Sequence, residues 1–204
     1  MLSKKKLQLK KLLENEPGAI KRKKEGEEPF HFAFGGSGMT FYDMKLASLN
    51  PEILNLMMDA MMRDDDILNI IRTDYGDERP CLLNFNRIGA LAVGGIPLAT
   101  LLSYNISTPM IIVRSTKFDL ENPSPIHETG TKKNVIGDCK GMSVLLIDDV
   151  ATTGGSIISA VRNIRNEGGM CNVCIVILDR EEGAREACEK YDIKVVSLLK
   201  ASEL

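Results

Sequence analysis

Two adjacent carboxylates and the short loop after them are the residues of this chain best suited to chemistry. An apolar run, residues 144–147, ends in Asp148 and Asp149, and a loop rich in glycine and hydroxyl groups follows at residues 150–156. Glycine lets a backbone come close to a ligand, and the first turn of a helix offers unpaired N–H groups and a positive dipole end. Such a corner binds phosphate, and carboxylates accept hydrogen bonds from a vicinal diol. The pattern predicts a ribose 5-phosphate site, whereas the alternative is an ordinary strand–turn–helix connection.

The elements that must hold this corner alternate between strand and helix from residue 81 onward. The predicted strands are residues 81–85, 109–113, 143–147, 171–178 and 193–199. Predicted helices begin at residues 95, 157 and 181. This alternation predicts an α/β fold, in which helices cover both faces of a mainly parallel sheet. Ligands bind such sheets at the carboxyl ends of the strands, where Asp148–Asp149 and Asp179–Arg180 both fall.

The first part of the chain is more basic than the rest. Residues 1–24 carry nine lysines or arginines and two glutamates. Leucines within residues 7–13 predict a short helix, residues 30–42 predict a hairpin, and Asn50 with Pro51 predicts the start of another helix. Contact with RNA or a membrane surface is one interpretation of the basic charge, and a solvated helix face with a linker is the favoured one.

Composition places the chain among ordinary globular proteins. It has 204 residues, of which 44% are hydrophobic and 26% are charged, with a net charge of −2. Its apolar runs fall short of the ~18 residues that span a membrane, and its first residues lack a secretory pattern. Five cysteines without disulfide-framework spacing indicate a reducing compartment. We therefore expect a cytoplasmic protein without membrane or nucleic-acid partners.

Two further groups are expected near the same sheet edge. Arg180 follows a predicted strand, and its guanidinium can form a forked contact with a carboxylate or an imide edge. The alternative for Arg180 is a surface ion pair with Glu181 or Glu182. Gly94 and Gly95 lie between a strand and a helix, where their amides could bind a second phosphate group or merely ease a turn.

A long irregular segment follows the strand that ends near Arg114. Residues 117–133 hold three prolines or glycines and lack clear periodicity, which is uncommon unless the segment works as a lid or is disordered. Lys117 and His127 lie within it, so its cations could close over an anionic leaving group. The alternative is a solvated loop.

The spacing of Cys171 and Cys174 is that of a C-x-x-C pair. Residues three apart on a strand point to opposite faces, so we expect the two sulfurs not to converge. A metal or redox role is therefore not predicted for this pair.

The motif at residues 144–156 resembles the phosphoribosyl-pyrophosphate (PRPP) motif of type I phosphoribosyltransferases. The wider layout, from about residue 18 to residue 199, resembles orotate phosphoribosyltransferase. That resemblance implies the type I fold, with a central mainly parallel sheet and a small N-terminal hood. It divides the chain into a basic segment with the hood at residues 1–48 and a phosphoribosyltransferase core at residues 49–204. Residues 32–45 match the hood, which helps to enclose the base.

The resemblance also implies residue roles, the transfer of ribose 5-phosphate from PRPP to orotate, and a homodimer. Arg114, Lys117 and Asp149 are implied to be catalytic. Thr152 and Arg180 are implied to contact the base, and Gly94 and Gly95 the pyrophosphate. Mg²⁺ is implied to bind through PRPP and water near the acidic pair rather than directly to the protein. The residues implied to bind PRPP are Arg114, Lys117, Asp148, Asp149, Ala151, Thr152, Thr153, Gly154, Gly155 and Ser156.

The segment after Arg114 departs from the family's lid pattern. Ser115 stands where the family has a lysine, Lys117 is one place from the second lysine position, and His127 is displaced by two residues. Two other functions therefore stay open beside the orotate enzyme. One is a type I transferase for another base, and the other is a non-catalytic regulator that binds PRPP or a nucleotide.

Overall fold

The computed structural model describes residues 3–31, 37–73, 82–115 and 133–204. The predictions for Lys117 and His127 lie outside these ranges. The helices are Lys4–Asn15 (α1), Met44–Ala47 (α2), Pro51–Met61 (α3), Asp65–Ile71 (α4), Ile96–Ile106 (α5), Gly155–Asn166 (α6) and Ala184–Glu189 (α7), followed by a 3₁₀ turn at Ala201–Glu203. The strands are Ile20–Arg22 (β1), Phe30–His31 (β2), Ser37–Gly38 (β3), Thr40–Tyr42 (β4), Arg72–Thr73 (β5), Leu82–Leu83 (β6), Arg87–Ala92 (β7), Met110–Arg114 (β8), Val135–Ile136 (β9), Ser143–Ala151 (β10), Met170–Asp179 (β11) and Lys194–Lys200 (β12).

A six-stranded sheet in the order β12-β11-β10-β7-β8-β9 forms the centre of the molecule. Its strands pair in parallel except β9, which pairs antiparallel with β8 at one edge. The apolar runs of β10 and β11 are buried on both faces, as expected for the middle of a parallel sheet. This confirms the predicted α/β class with a mainly parallel sheet flanked by helices.

Helices cover both faces of the sheet. Along β10, Leu145 and Ile147 pack into a core shared with α1, α3 and α5. Val144 and Leu146 point the other way, into a core shared with α6 and α7. Strand periodicity therefore places successive residues of one apolar run in two different cores.

One predicted strand was misplaced. A strand of the sheet was predicted at residues 81–85, but the strand that enters the sheet is β7, Arg87–Ala92, between β10 and β8. Leu82–Leu83 instead pairs with Arg72–Thr73 in a separate two-stranded ribbon. Gly89 and two alanines weaken the strand signal of β7. Gly89 lies where a Cβ would be 3.0 Å from a methyl group of Val144, so close packing with β10 favours the small residue.

The basic N-terminal helix packs onto the core rather than standing free. Leu9 and Leu13 are fully buried, and α1 lies against α3. Lys5 is 2.7 Å from Asp59 and Lys6 is 2.6 Å from Asp64, so part of the basic charge is paired within the chain. The division at residue 48 stays a prediction. Within the described ranges, no helix has both the length and the apolar character needed to cross a membrane.

Candidate active site

A cavity of about 430 Å³ opens at the carboxyl ends of the central strands. Strand ends of the sheet form one side of the cavity, and the N-terminal segment forms the other. The lining residues are His31, Phe41, Tyr42, Lys45, Leu91, Ala92, Val93, Gly94, Ser115, Asp148, Asp149, Val150, Thr152, Ser156 and Arg180. The structure therefore brings together predicted site residues from three separate parts of the chain.

The acidic pair lies at the end of β10 with its two carboxyl groups in different environments. Asp148 is buried, and its Oδ1 accepts a hydrogen bond of 2.9 Å from the backbone N–H of Asp149. Burial raises the pKa of Asp148 well above its ordinary value, and the neighbouring charge of Asp149 raises it further. Asp149 Oδ2 is buried and accepts no hydrogen bond within the described part of the chain. Asp149 is thus the carboxylate with capacity left for a ligand hydroxyl.

The loop after the acidic pair ends at a helix start that no side chain caps. Gly154 is the N-cap residue of α6, and its φ of 86° is one that glycine adopts without strain. A Cβ there would lie 3.0 Å from both the carbonyl oxygen of Ala184 and the Sγ of Cys188. Since no side chain among the described residues caps this N-terminus, its amides are available to an anion.

The predicted phosphate residues do not all face the cavity. Thr152 and Ser156 line it. Ala151, Thr153, Gly154 and Gly155 are absent from its walls, so they shape the turn between β10 and α6 rather than enclose this volume.

The predicted pyrophosphate loop packs directly against the acidic pair. A Cβ on Gly94 would overlap the carboxylate of Asp149, and a Cβ on Gly95 would overlap the carbonyl oxygen of Ile147. Gly94 lines the cavity, and the peptide bond between Ala92 and Val93 is cis. The two glycines are therefore required by close packing between β10 and the turn before α5.

Arg180 lies at the cavity wall but is also paired inside the protein. Its side chain is 7% exposed, and Nη2 is 2.7 Å from Oε1 of Glu182. The guanidinium carbon lies 5.8 Å from the centre of the Tyr42 ring, and Nη2 is 3.5 Å from the backbone oxygen of Thr40. The structure therefore contains both the cavity position and the ion pair that the sequence left as alternatives.

The predicted lid is described only at its two ends. Arg114 ends β8, where its N–H donates to the oxygen of Asn134 at 2.8 Å and its own oxygen accepts from Nδ2 of Asn163 at 2.8 Å. The side chain of Arg114 is exposed and does not line the cavity, whereas Ser115 does. Lys117 lies outside the described residues.

Two lining residues with basic side chains were missed as site candidates. His31 and Lys45 both line the cavity, and Nζ of Lys45 is 3.7 Å from Oδ2 of Asp149. Lys45 belongs to the four-residue helix α2, which is too short to produce a periodic signal. Asp43, whose side chain caps α2, was the available signal that a helix begins there.

The prediction that Cys171 and Cys174 point to opposite faces of their strand was wrong. Cys171 and Cys174 lie in the same apolar core because the pairing of β10 with β11 contains a bulge. Ser143 pairs with Met170 and Leu145 with Val173, so one residue lies between the paired positions on β10 and two lie between them on β11. The extra residue reverses the alternation of side chains. The described residues include no cluster of three or more His, Cys, Asp or Glu side chains suited to a metal ion.

Comparison with known proteins agrees with this geometry. The model of the phosphoribosyl transferase domain matches residues 67–202. The chain therefore belongs to the phosphoribosyltransferase family, which confirms the resemblance seen in the sequence.

Its relatives within that family include orotate phosphoribosyltransferases. The enzyme of Methanopyrus kandleri is 34% identical over 167 residues, covering 80% of this chain and 75% of the relative. The enzyme of Methanocaldococcus jannaschii is 32% identical over 179 residues, covering 86% of each protein. The crystal structure of orotate phosphoribosyltransferase from Aeropyrum pernix superposes with a TM-score of 0.69 at 24% identity, covering 96% of this chain and 94% of that chain, which supports the fold.

Proposed function

We propose that this protein is an orotate phosphoribosyltransferase, which transfers ribose 5-phosphate from PRPP to orotate and releases pyrophosphate. The observation that carries the proposal is the position of Arg180. A nearly buried guanidinium lines the same cavity as Asp149 and Thr152. This places a group suited to a planar carboxylate beside a corner suited to a phosphorylated sugar. The relatives named above support the same substrate.

The 5-phosphate belongs at the uncapped start of α6. Its oxygens would accept hydrogen bonds from the first amides of the helix and from the hydroxyls of Thr152 and Ser156. The ribose hydroxyls would then donate to Oδ2 of Asp149, which lacks a hydrogen-bond partner within the described residues. Together these contacts fix the sugar while its anomeric carbon reacts.

The reaction exchanges one bond at the anomeric carbon for another. The bond from C1 to the pyrophosphate oxygen breaks, and its electron pair leaves with pyrophosphate. A ring nitrogen of orotate forms the new bond to C1, and its N–H proton is released to the departing pyrophosphate or to water. The carboxylate of Asp149 lies where it can stabilise positive charge that develops on the sugar. Arg114 and Lys117 are proposed to neutralise the leaving group, at ~3 kcal/mol for each well-placed donor.

The donor set fits Mg²⁺ held mainly by substrate and water. Aspartate oxygens are ligands of the type that Mg²⁺ prefers, and Oδ2 of Asp149 is buried without a hydrogen-bond partner among the described residues. Asp148 and Asp149 would lie near the ion. When bound, Mg²⁺ would neutralise part of the negative charge of pyrophosphate.

Assembly and location are parts of the same proposal. We expect a homodimer, and the exposed side chains of Leu49 and Tyr104 offer apolar surface for such contacts. We also expect a cytoplasmic protein, which is supported by the free thiols at Cys139, Cys171, Cys174 and Cys188. Light scattering of the purified chain measures the oligomeric state directly.

Arg180→Ala tests the proposal. The variant should lower kcat/KM for orotate about 100-fold, because a charge-assisted contact to the substrate carboxylate is lost. Uracil, hypoxanthine and adenine are assayed in parallel with wild type and variant. Arg63→Ala, at an exposed arginine of an ion pair on the surface, is the control for the charge change.

Two outcomes would redirect the assignment. If Arg180→Ala leaves orotate turnover unchanged, orotate is not the base that Arg180 binds. Wild-type protein that binds PRPP but turns over none of the four bases would favour the non-catalytic regulator.

A further inference from the structure

Lys45 reaches into the same cavity and has no part in the transfer described above. Its Nζ lies 3.7 Å from Oδ2 of Asp149. The Lys45 side chain is 53% exposed, whereas that of Asp149 is 12% exposed. A half-exposed cation therefore stands beside a nearly buried carboxylate that the proposed function assigns to the ribose.

The backbone that carries Lys45 is firmly anchored. Asp43 caps α2 by accepting a 3.0 Å hydrogen bond from the N–H of Leu46, and its own N–H donates to the oxygen of Ala19 at 2.7 Å. Met44 and Ala47 are fully buried on the core side of α2. The Cα of Lys45 is therefore held in place, and only the long side chain can move from one partner to another.

The pyrophosphate loop approaches Asp149 as well. Gly94 packs so closely that a Cβ there would overlap the Asp149 carboxylate. Lys45 and Gly94 are therefore neighbours of one carboxylate, and both line the cavity. A pyrophosphate group held by the loop at residues 92–95 would lie within reach of the lysine.

We propose that Lys45 is a catalytic residue that binds the departing pyrophosphate, exchanging the carboxylate of Asp149 for phosphate oxygens. This inference rests on the proposed function. In the reaction, the electron pair of the broken C1–O bond goes to the pyrophosphate oxygen. Lys45 donates a hydrogen bond to the leaving group and takes part in no covalent step.

The energetics favour such an exchange. A separation of 3.7 Å is too long for a hydrogen bond, and a partly exposed ion pair contributes only about 0.2–1 kcal/mol. Hydrogen bonds between an ammonium group and phosphate oxygens are shorter and stronger. The exchange also frees Asp149 to accept hydrogen bonds from the ribose. A single movement of Lys45 would therefore stabilise the pyrophosphate at one end of the C1–O bond and free Asp149 for the ribose at the other.

The test compares Lys45→Ala, Lys45→Gln and Lys45→Arg in both directions of the reaction. Lys45→Ala and Lys45→Gln should raise KM for PRPP and for pyrophosphate about tenfold and lower kcat about tenfold. KM for orotate and for orotidine 5′-monophosphate should stay within about twofold, because neither molecule carries pyrophosphate. Lys45→Arg should restore most of the pyrophosphate affinity. Lys190→Ala, at an exposed lysine after α7, is the charge-matched control.

Orotidine 5′-monophosphate lacks pyrophosphate, so its KM distinguishes between two roles for Lys45. If Lys45→Ala raises KM for orotidine 5′-monophosphate as much as for pyrophosphate, Lys45 acts through Asp149 on the ribose, and the proposal is wrong. Unchanged kinetics in Lys45→Gln would equally overturn it. If the wild type does not convert orotate, the proposed function fails, and calorimetry of pyrophosphate binding to wild type and Lys45→Gln still decides the role of Lys45.

Discussion

The guanidinium of Arg180 already has a carboxylate partner, Glu182, only two residues along the chain. Nη2 of Arg180 is 2.7 Å from Oε1 of Glu182, and the Glu182 side chain is 34% exposed. The arginine is nearly buried, so an unpaired charge there would be costly in the empty site. If Arg180 binds the substrate carboxylate as proposed, that carboxylate must compete with Glu182, which is 34% exposed and can turn toward solvent.

Glu182→Gln should tighten the binding of orotate. The amide oxygen can still accept a hydrogen bond from Arg180, but the competing charge is gone. Partly exposed ion pairs contribute about 0.2–1 kcal/mol, so KM for orotate should fall by a factor between about 1.4 and 5. Steady-state kinetics at saturating PRPP measures the change.

Glu186→Gln is the matched control for this effect. Glu186 is an exposed acid in the first turn of α7, and Glu186→Gln changes the net charge of the protein by the same amount. A KM for orotate that rises in Glu182→Gln would mean that the glutamate positions the arginine rather than competes for it.

Much of the corner proposed to bind the sugar phosphate could be predicted from the sequence. The apolar run before Asp148, the glycines after it and the periodic helix that follows each have a local signal, and these signals agree. Lys45 and β7 could not be predicted in this way. Lys45 lies on a single helical turn. β7 contains small residues, which are favoured because they pack closely against β10. Their positions depend on contacts with distant parts of the chain.

Gly94→Ala should destabilise the protein through a clash with Asp149. The added Cβ would overlap the carboxylate, and overpacking of this kind costs about 1–3 kcal/mol. In an Asp149→Ala background the same change should cost at least about 1 kcal/mol less, because the obstructing group is absent. Denaturant unfolding of the four proteins in this cycle gives the coupling energy.

Gly141→Ala is the control for a glycine-to-alanine change without a steric clash. Gly141 has a φ of 69° with open space around it, so alanine there introduces backbone strain without a clash. Its cost should be about 1 kcal/mol in both backgrounds. Equal costs of Gly94→Ala with and without the Asp149 side chain would contradict the proposed packing.

Asp148→Asn should stabilise the protein at neutral pH but not at acidic pH. Burial raises the pKa of Asp148 well above its ordinary value of 3.8, so the folded protein holds this proton more tightly than the unfolded chain. The stability of the wild type therefore falls as pH rises from about 4 through the folded pKa. Asparagine has no carboxyl group to ionise, so Asp148→Asn removes this loss of stability. The wild type and the variant should have the same melting temperature at pH 4. At pH 8 the variant should have the higher melting temperature. A stabilisation independent of pH would exclude this cause.

The thiols of Cys171, Cys174 and Cys188, in the core shared with α6 and α7, should resist alkylation in the folded protein. Burial raises the pKa of Cys171 to about 12 and that of Cys188 to about 12, so little thiolate exists at pH 8. Cys174 is fully buried, and burial raises its pKa as well. Iodoacetamide labelling resolved by mass spectrometry should leave these three cysteines unmodified until denaturant is added. Rapid labelling of Cys171 and Cys174 in the native protein would contradict their burial and reopen a redox role.

Leu13→Ala should weaken the whole fold rather than the N-terminal segment alone. Leu13 is fully buried in the core that α1 shares with α3, α5 and the central sheet. Removing a buried leucine side chain costs about 2–5 kcal/mol. Leu7→Ala, at an exposed leucine of the same helix, should change stability by less than about 0.5 kcal/mol. Denaturant unfolding followed by circular dichroism should show one transition, shifted as a unit in Leu13→Ala. A separate early transition, with the main one unmoved, would instead mean that residues 1–48 unfold independently of the core that holds Asp149 and Arg180.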